Sequence, residues 1–411
     1  MNIFNQIFPI LENLLVRLIT IKFFLIFLTI IVVYHILLYF LRDRTYINAV
    51  RKYKDPEVLT INDLKDLPLV NIIVPAWKES DLFRQCLISI TKLNYPKIKA
   101  IVNAGGNEET LNIANSFRKY DNFIILHQKG GGSRPSLGKI KALNECLPYV
   151  SEGLLYMVDA DVYFTDETFI RMIYPLINLD EKVVVGGIRP FKSLENKNLT
   201  KYLLINRNIN FKTKFSRYKM DGISGANTCL KYEVIKAIGK FSEDNIYGED
   251  RSRGEDIISQ GFKIYKLKSY RGGIFCDFPR TIKEWIYQKI RWNENFLIYS
   301  SKKNKLQLIK SIFLSISSFF LIILPIYLFL YIQGFIFGIF IFIYLYLLKI
   351  RKYLFFKFTN DKDFTPKLGL IFFIKIIFYI YLEILIKFLL PFHLFYFKRK
   401  LKIMKNSIKY I

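Results

Sequence analysis

The segment VNIIVPAWKESDLFRQCLISITKLNYPKIKAIVN, residues 70–103, gives the clearest indication of the fold. It opens with a continuous apolar run over 70–76, continues through a helical pattern over 79–93, and closes with a second apolar run over 98–103. Continuous apolar runs are typical of strands that are buried on both faces, as in parallel sheets. The alternation of such strands with a helix predicts an α/β fold.

The same alternation continues downstream. Residues 107–119 predict a helix, 123–127 a third strand, 137–148 another helix and 154–158 a fourth strand. We therefore expect a mostly parallel sheet covered by helices. In such sheets ligands bind beyond the carboxyl ends of the strands, so the functional residues should follow the strands directly.

Apolar segments flank this core at 18–41, 311–331, 335–350 and 369–397. The first is long enough to cross a bilayer, and the next two form a hairpin of spans. The last contains Lys375, Glu383 and Lys387, so it either lies in the membrane interface or spans with its charges facing protein, which leaves three or four spans open. The predicted organisation is a membrane anchor, a catalytic domain and a C-terminal membrane region with a basic tail, over 1–45, 46–300 and 301–411.

The chain is strongly basic, with 61 Lys and Arg against 34 Asp and Glu and a net charge of +27. Such a surface suits anionic lipid, a phosphorylated substrate or nucleic acid. The apolar spans and the lack of any zinc-finger or helix-turn-helix pattern argue against nucleic acid. The basic residues that follow the first span predict a cytoplasmic catalytic domain in an integral protein of the cell membrane. Four cysteines without a CxxC pair argue against a disulfide framework or zinc site.

The sequence VDADVYF, residues 158–164, places two carboxylates directly after the fourth strand. Alternation along an extended segment puts Asp159 and Asp161 on one face. Their hard oxygens suit Mg²⁺ or Mn²⁺ that also holds substrate phosphates. The alternative is an acidic turn or helix cap without a ligand.

A second acidic group lies in YGEDRSRGEDIISQGFKIY, residues 247–265. A carboxylate such as Asp250, beside Glu249, can take a proton from an attacking hydroxyl. The alternative is that Asp250 only caps a helix predicted over 251–260. Asp256, in the near-duplicate pair that follows, is a second candidate for the same task.

A third group lies in EWIYQKIRWNENF, residues 284–296. Gln288, Arg291 and Trp292 stand at i, i+3 and i+4, so one helix presents them on one face. Arginine supplies a planar fork of donors for a diphosphate, and tryptophan supplies a flat apolar surface. The alternative is an amphipathic helix at the membrane interface. Lys139, at the start of the helix after a glycine cluster, suits a phosphate.

Taken together, these residues resemble the membrane-bound family 2 glycosyltransferases, a group that includes hyaluronan, chitin and cellulose synthases. The resemblance covers about 69–300. It is carried by segments that resemble the family's ordered motifs, namely VPAWKES, GKIKALN, VDADVYF, SGANTCLKYEVI and QKIRW. It implies a GT-A fold, with a Rossmann-like, mostly parallel sheet, inserted between transmembrane helices.

The resemblance also implies a role for each matching residue. Donor binding is expected from Pro75, Trp77, Glu79, Asn103, Lys139 and Asp159. Metal binding is expected from Asp161 with Asp159, and contact with the acceptor and diphosphate from Glu249, Gln288, Arg291 and Trp292. The family's spacing of eleven positions to the glycine before the next strand favours Asp250 over Asp256 as the base, because Gly261 lies eleven positions after Asp250. The family usually has an aspartate where Asn103 stands, so the nucleobase stays open.

The function implied is inverting transfer of a sugar to an acceptor hydroxyl at the membrane, in polysaccharide or glycan biosynthesis. The expected partners are a nucleotide-sugar donor, with a UDP-sugar foremost, a carbohydrate or lipid-linked acceptor, and membrane lipids. One alternative is the addition of a single sugar to a lipid. An alternative of another class is a catalytically inactive nucleotide-binding or scaffold protein, against which the retained carboxylates argue.

Overall fold

A computed structural model describes most of the chain from residue 36 to residue 389. Outside the described set lie 1–9, 129–134, 208–217, 220–221, 244–248, 317–334, 361–364, 390–391 and 393–411, most of 11–35, and a few isolated positions such as 53 and 304. The statements below concern the described residues.

The strands follow the predicted order closely in the first half of the domain. They are β1 Val70–Trp77, β2 Ile98–Gly105, β3 Phe123–His127, β4 Leu154–Val158, β5 Val162–Tyr163, β6 Val183–Val185, β7 Ile188–Pro190, β8 Tyr218–Lys219, β9 Asn227–Lys231, β10 Ile264–Lys266 and β11 Ile274–Cys276. Each of the four predicted strands is confirmed, and β2 runs two residues longer than expected.

The main sheet has eight strands in the order β3-β2-β1-β4-β9-β6-β10-β8. Strands β3, β2, β1 and β4 are parallel neighbours, and β10 is parallel to β6. Strand β9 is antiparallel to both of its neighbours, and β8 is antiparallel to β10. The predicted α/β class with a mostly parallel sheet is confirmed. A second sheet, β5-β11-β7, is a feature that the hydrophobic pattern did not indicate.

The helices connect these strands and continue after them. They are α1 Arg44–Lys52, α2 Asp81–Thr91, α3 Glu108–Asn115, α4 Pro135–Cys146, α5 Asp166–Asn178, α6 Asn198–Arg207, α7 Tyr232–Ile238, α8 Glu249–Ser259, α9 Ile282–Lys303, α10 Phe335–Thr359 and α11 Leu370–Phe388. Helix α8 begins two residues before its predicted start, so Glu249 and Asp250 both lie in its first turn.

The core lies on both faces of the main sheet. In β1, Val70, Ile72 and Val74 join the cluster on one face, and Ile73 joins the cluster on the other. This explains why the strand is continuously apolar rather than alternating. The C-terminal helices share the first cluster, to which α11 contributes side chains such as Tyr379. All four cysteines are buried and unpaired.

Asn227 at the start of β9 ties several elements together. Its side chain is fully buried. Its Oδ1 accepts a hydrogen bond from the Tyr156 hydroxyl at 2.7 Å, and its Nδ2 donates to the carbonyl oxygens of Gly187 at 2.8 Å and Gly272 at 3.2 Å. A Cβ added at Gly186 would lie 2.3 Å from this Nδ2. Gly186 therefore has no room for a side chain.

The structure describes only part of the apolar segments that were predicted to contact the membrane. Residues 311–331 lie largely outside the described set, as does half of 18–41. Helix α10 covers the segment at 335–350, and α11 covers the first part of 369–397. Among the described residues, no helix combines the length and the apolar character needed to cross a membrane.

Substitution of the neighbouring glycines should separate packing from backbone effects. Gly186→Ala should lower the free energy of unfolding by about 1–3 kcal/mol, because the new methyl group overlaps the fixed amide of Asn227. Gly187→Ala is the matched control, since open space surrounds that position. Denaturant titration of both variants measures the difference. Equal stability of the two variants would contradict the close approach described here.

Candidate active site

The Asp159–Asp161 segment follows β4 directly, at the carboxyl end of the parallel strands. Lys139 of α4 approaches it, with Nζ 2.6 Å from Asp159 Oδ1. The same Nζ lies 3.3 Å from Glu249 Oε1 at the start of α8. One ammonium group therefore joins two acidic motifs that are about ninety residues apart in the chain. Burial lowers the pKa of Lys139, but the carboxylates of Asp159 and Glu249 outweigh burial and raise it above its usual range.

Asp159, Asp161 and Glu79 form a group of negative charges, which we call the acidic pocket. Burial, and next the charge of Asp159, raise the pKa of Asp161 to about 6. Burial, followed by the charges of Asp161 and Asp159, raises the pKa of Glu79 to about 7. Asp277, after β11, acts on Asp161 in the same direction. Carboxylates that raise one another's pKa lie close together, and they favour a cation or protons between them.

The first turn of α8 carries the candidate base. Asp250 Oδ1 accepts a hydrogen bond from Arg253 Nη2 at 2.5 Å. Arg253 is almost completely buried, and its guanidinium also contacts the Met157 sulfur and the Phe241 ring. A buried arginine needs a carboxylate partner. Among the described residues, Arg253 forms its ion pair with Asp250.

Glycines allow this helix to approach the preceding segment. A Cβ added at Gly225 would lie 2.3 Å from Asp250 Oδ1, so the carboxylate packs against the Gly225 backbone. A Cβ added at Gly254 would lie 2.4 Å from the Gly222 Cα. The backbone N–H of Ile223 donates to the Asp250 carbonyl at 2.9 Å. Asp250 is therefore positioned from its side chain and from its backbone.

The charges around Asp250 oppose one another. Burial, and next the negative charge of Glu249, raise the pKa of Asp250, while Lys139 and Arg253 oppose the rise. Burial would also raise the pKa of Glu249, but the cations Lys139 and Arg253 outweigh it and lower that pKa. Asp250 therefore holds its proton more tightly than an ordinary aspartate does.

The end of β1 forms an edge of the same region. Trp77 is 38% exposed, and its ring lies against Gly105 and Gly106, where added Cβ atoms would approach it to 3.1 and 2.9 Å. Its neighbour Pro75 is partly buried. The loop that carries Glu79 is fixed to α3, because the Glu79 N–H donates to Thr110 Oγ1 at 2.7 Å.

Asn103 lies elsewhere. It is fully buried in β2, and its Nδ2 donates to the Ala142 carbonyl at 3.1 Å and to Glu145 Oε2 at 2.7 Å. Its amide nitrogen is committed to α4 rather than turned toward the acidic pocket. Its buried Oδ1 has no hydrogen-bond partner among the described residues, and the contact of Asn103 with a base stays a prediction.

The three predicted residues of α9 have different surroundings, because Gln288 and Trp292 contact Arg207 while Arg291 is exposed. Gln288 Oε1 accepts a hydrogen bond from Arg207 Nη2. The Arg207 Cζ lies 4.6 Å from the centroid of the Trp292 ring and 4.7 Å from that of Phe278. Arg291, between Gln288 and Trp292 in the sequence, is exposed. Arg207 is a residue that the motif analysis missed, because it lies on α6 and follows no recognisable pattern.

The two groups of predicted residues meet through β11. The charge of Asp277 contributes to the raised pKa of Asp161, and the next residue, Phe278, contacts Arg207, which in turn contacts Trp292. Asp256 is directed differently from Asp250, since its Oδ2 accepts a hydrogen bond from the Ser242 N–H at 3.4 Å. Among the described residues, no group of three or more His, Cys, Asp or Glu side chains has the arrangement of a metal site.

Comparison with known proteins places this arrangement in a family context. Residues 71–239 match the model of glycosyl transferase family 2, and residues 157–357 match that of glycosyl transferase family group 2. These two stretches are therefore similar to family 2 glycosyltransferases, which supports the predicted enzyme class of glycosyltransferase.

Individual relatives are distant. A probable glycosyltransferase of Bacillus subtilis, YdaM, is 26% identical over 249 residues, which are 56% of this chain and 56% of that protein. The poly-beta-1,6-N-acetyl-D-glucosamine synthase of Staphylococcus epidermidis is 25% identical over 234 residues, 54% of this chain and 53% of that protein. The chain thus spans about half the length of these curated relatives. A mannosyltransferase from Pyrobaculum calidifontis, solved with GDP-Man and Mn²⁺, is 19% identical with a TM-score of 0.47, covering 67% of this chain and 75% of that one.

The raised pKa of Glu79 predicts a pH-dependent stability. The folded protein binds the Glu79 proton more tightly than the unfolded chain does, so the free energy of unfolding should fall as the pH rises from about 4.5 to about 7. Glu79→Gln removes this charge and should therefore be more stable than the unmodified protein at pH 8, with a smaller difference at pH 5. Denaturant titrations with a chelator present measure both. Glu109→Gln, at an exposed position of α3, is the control and should not change the pH profile.

Proposed function

We propose that the protein is an inverting glycosyltransferase that moves a sugar from a nucleoside-diphosphate sugar to an acceptor hydroxyl at the cytoplasmic face of the cell membrane. The observation that carries the proposal is the position of Lys139 between Asp159 and Glu249. This contact brings the carboxylates at the end of β4 next to the turn that carries Asp250. Transfer with inversion needs a donor site and a base in one cleft.

In the proposed step, Asp250 accepts the proton of the acceptor hydroxyl. The hydroxyl oxygen forms a bond to the anomeric carbon while the bond from that carbon to the phosphate oxygen breaks. The electron pair leaves with the nucleoside diphosphate, and the configuration at the carbon inverts. The raised pKa of Asp250, caused by burial and by Glu249, makes this carboxylate a stronger base than an ordinary aspartate.

The residues after β4 fit a divalent cation. Asp161, helped by Asp159, would hold Mg²⁺ or Mn²⁺, since one or two carboxylates together with substrate phosphates are a common set of ligands for Mg²⁺. The raised pKa values of Asp161 and Glu79 reflect negative charge that a cation would compensate. When bound, the cation supplies charge neutralisation for the departing diphosphate. Arg291 is exposed and would supply further positive charge for the diphosphate.

The membrane location is supported by exposed apolar side chains on α11. Leu370, Ile371, Ile374 and Phe378 are between 54% and 77% exposed. A surface of this kind is unusual for a helix that faces only water, and it marks a site of contact with lipid or protein. The strongly basic chain suits the anionic inner surface of a cell membrane.

The acceptor is proposed to be a growing carbohydrate chain, in line with the similarity to a poly-N-acetylglucosamine synthase. Membranes that contain the protein are supplied with radiolabelled nucleotide-sugars in turn, and the product is analysed on a gel. A ladder or a high-molecular-mass product supports chain synthesis. A single labelled lipid band supports the alternative of one sugar added to a lipid.

Substitution of the candidate base provides the first functional test. Asp250→Asn should reduce sugar transfer by about 100-fold or more, within the range that a general base contributes, while the protein still binds nucleotide. Asp256→Asn is the matched control on the same helix and should keep at least half of the activity, because Asp256 contacts Ser242. Radiolabel transfer and calorimetric nucleotide binding are the measurements. Loss of transfer in the Asp256 variant with normal transfer in the Asp250 variant would reverse the assignment.

Removal of the candidate metal ligand provides the second test. Asp161→Asn should abolish the Mn²⁺-dependent part of nucleotide-diphosphate binding, since it removes a carboxylate oxygen from the pocket. Asp121→Asn, at an exposed position before β3, is the control and should bind as the unmodified protein does. Titration calorimetry with and without Mn²⁺ shows the difference. Full Mn²⁺ dependence in the Asp161 variant would rule out this residue as a ligand.

A further inference from the structure

Arg207 occupies an unusual position at the end of α6. Its guanidinium lies over the rings of Phe278 and Trp292, at 4.7 and 4.6 Å from their centroids. Its Nη2 donates to Gln288 Oε1. The one guanidinium therefore contacts the first and last positions of the Gln288–Trp292 motif and the residue that follows Asp277.

The charge of Arg207 is not neutralised by a carboxylate in the described part of the chain. No ion pair involves it there, and its buried Nε has no hydrogen-bond partner among the described residues. Burial lowers the pKa of its guanidinium, and Cys276 and Tyr270 oppose this shift. Arg207 is partly buried, and holding a guanidinium mainly by two aromatic faces and an amide costs free energy, which points to a role beyond packing.

The helix that carries Arg207 is anchored from the other side. Tyr202 of α6 lies with its ring edge-on to Trp285 of α9, at 5.6 Å between centroids. Its hydroxyl donates to Glu383 of α11. Lys349 of α10 lies 2.9 Å from that hydroxyl and 3.0 Å from Glu383. Lys349 is only 9% exposed, so the C-terminal helices hold α6 through a buried polar cluster.

These contacts form one continuous path. The cluster of Tyr202, Lys349 and Glu383 sets the position of α6, and α6 presents Arg207 to Gln288 and Trp292. Trp292 keeps 38% of its surface exposed while its ring is held. An aromatic ring that must receive a sugar gains from such fixing, because misplacement of a positioning group by about 1 Å can cost about 100-fold in rate.

We propose that Arg207 is a positioning residue for the acceptor, which sets Gln288 and Trp292 at a fixed place beside the acidic pocket. The inference rests on the proposed function. It adds to the Gln288–Trp292 motif a residue from another helix, which holds Gln288 and Trp292 in place.

The test compares Arg207→Met and Arg207→Lys with Arg84→Ala, which changes an exposed arginine on α2. Arg207→Met should reduce radiolabel transfer to the membrane acceptor by about 10- to 100-fold. Binding of UDP or GDP with Mn²⁺, and slow hydrolysis of the nucleotide-sugar by water, should change less than about twofold, because the described contacts of Arg207 are with Gln288, Phe278 and Trp292 and not with the carboxylates after β4. The transfer rate of Arg207→Lys should lie between those of Arg207→Met and the unmodified protein, since lysine keeps the charge but lacks the planar fork. Arg84→Ala should behave as the unmodified protein.

A second readout reports position without any substrate. The chain has three tryptophans, of which Trp285 is completely buried. In a Trp77→Phe background, quenching of fluorescence by acrylamide therefore reports mainly on Trp292. Arg207→Met should increase this quenching, and Arg84→Ala should not.

The outcomes separate the two hypotheses. Unchanged transfer and unchanged quenching in Arg207→Met overturn the positioning role, even where Asp250→Asn abolishes transfer. Equal loss of nucleotide binding and transfer also overturns it, because the effect is then not confined to the acceptor. If the unmodified protein turns over no nucleotide-sugar, the proposed function fails, and the quenching result alone decides whether Arg207 holds Trp292.

Discussion

The arrangement depends on one ammonium group placed between two carboxylates. Lys139 contacts Asp159 after β4 and Glu249 at the start of α8. Without a cation, these carboxylates would repel each other, and their approach would cost free energy. The Lys139 ammonium group draws the end of β4 and the start of α8 together. The raised pKa of Lys139 means that it stays charged across the physiological pH range, so the contact persists.

A second constraint is the close packing of backbone around Asp250. Gly225 and Gly254 leave no space for a Cβ, and the first of these positions lies directly against the Asp250 carboxylate. The buried Arg253 donates a hydrogen bond to the same carboxylate and so fixes its orientation. Arg253 is buried while the Asp250 side chain is 43% exposed, so loss of the carboxylate would leave a buried guanidinium without its partner, at a cost in stability. The candidate base is therefore part of the packing of the domain as well as of its chemistry.

The C-terminal helices belong to the same unit as the sheet domain. Helix α11 shares a hydrophobic cluster with β1, and the Lys349–Glu383 pair reaches the helix that carries Arg207. The region after residue 300 was predicted only as membrane segments. The structure shows that it also supports the face of α9 on which Trp292 lies, so its described part has a structural role inside the domain.

Sequence reasoning was strongest where the signal is local. A continuous apolar run followed by a turn specifies a buried strand, which is why β1 to β4 and the residues after them could be predicted. Asp159, Asp161, Asp250 and Lys139 were named from such positions and from motif order, and the structure brings them or their immediate neighbours together. The short strands β5 to β8 were not predicted, because two or three residues carry no periodicity that can be recognised.

What the chain determines by itself is thus the order of strands and helices and the chemical types at the strand ends. The tertiary structure decided which of those groups meet. It buried Asn103 against α4, turned Asp256 toward Ser242 and placed Arg207 over Trp292. These outcomes depend on contacts between residues from 14 to 85 positions apart. Such contacts arise from how helices pack on the sheet, and no local pattern in the sequence encodes that packing.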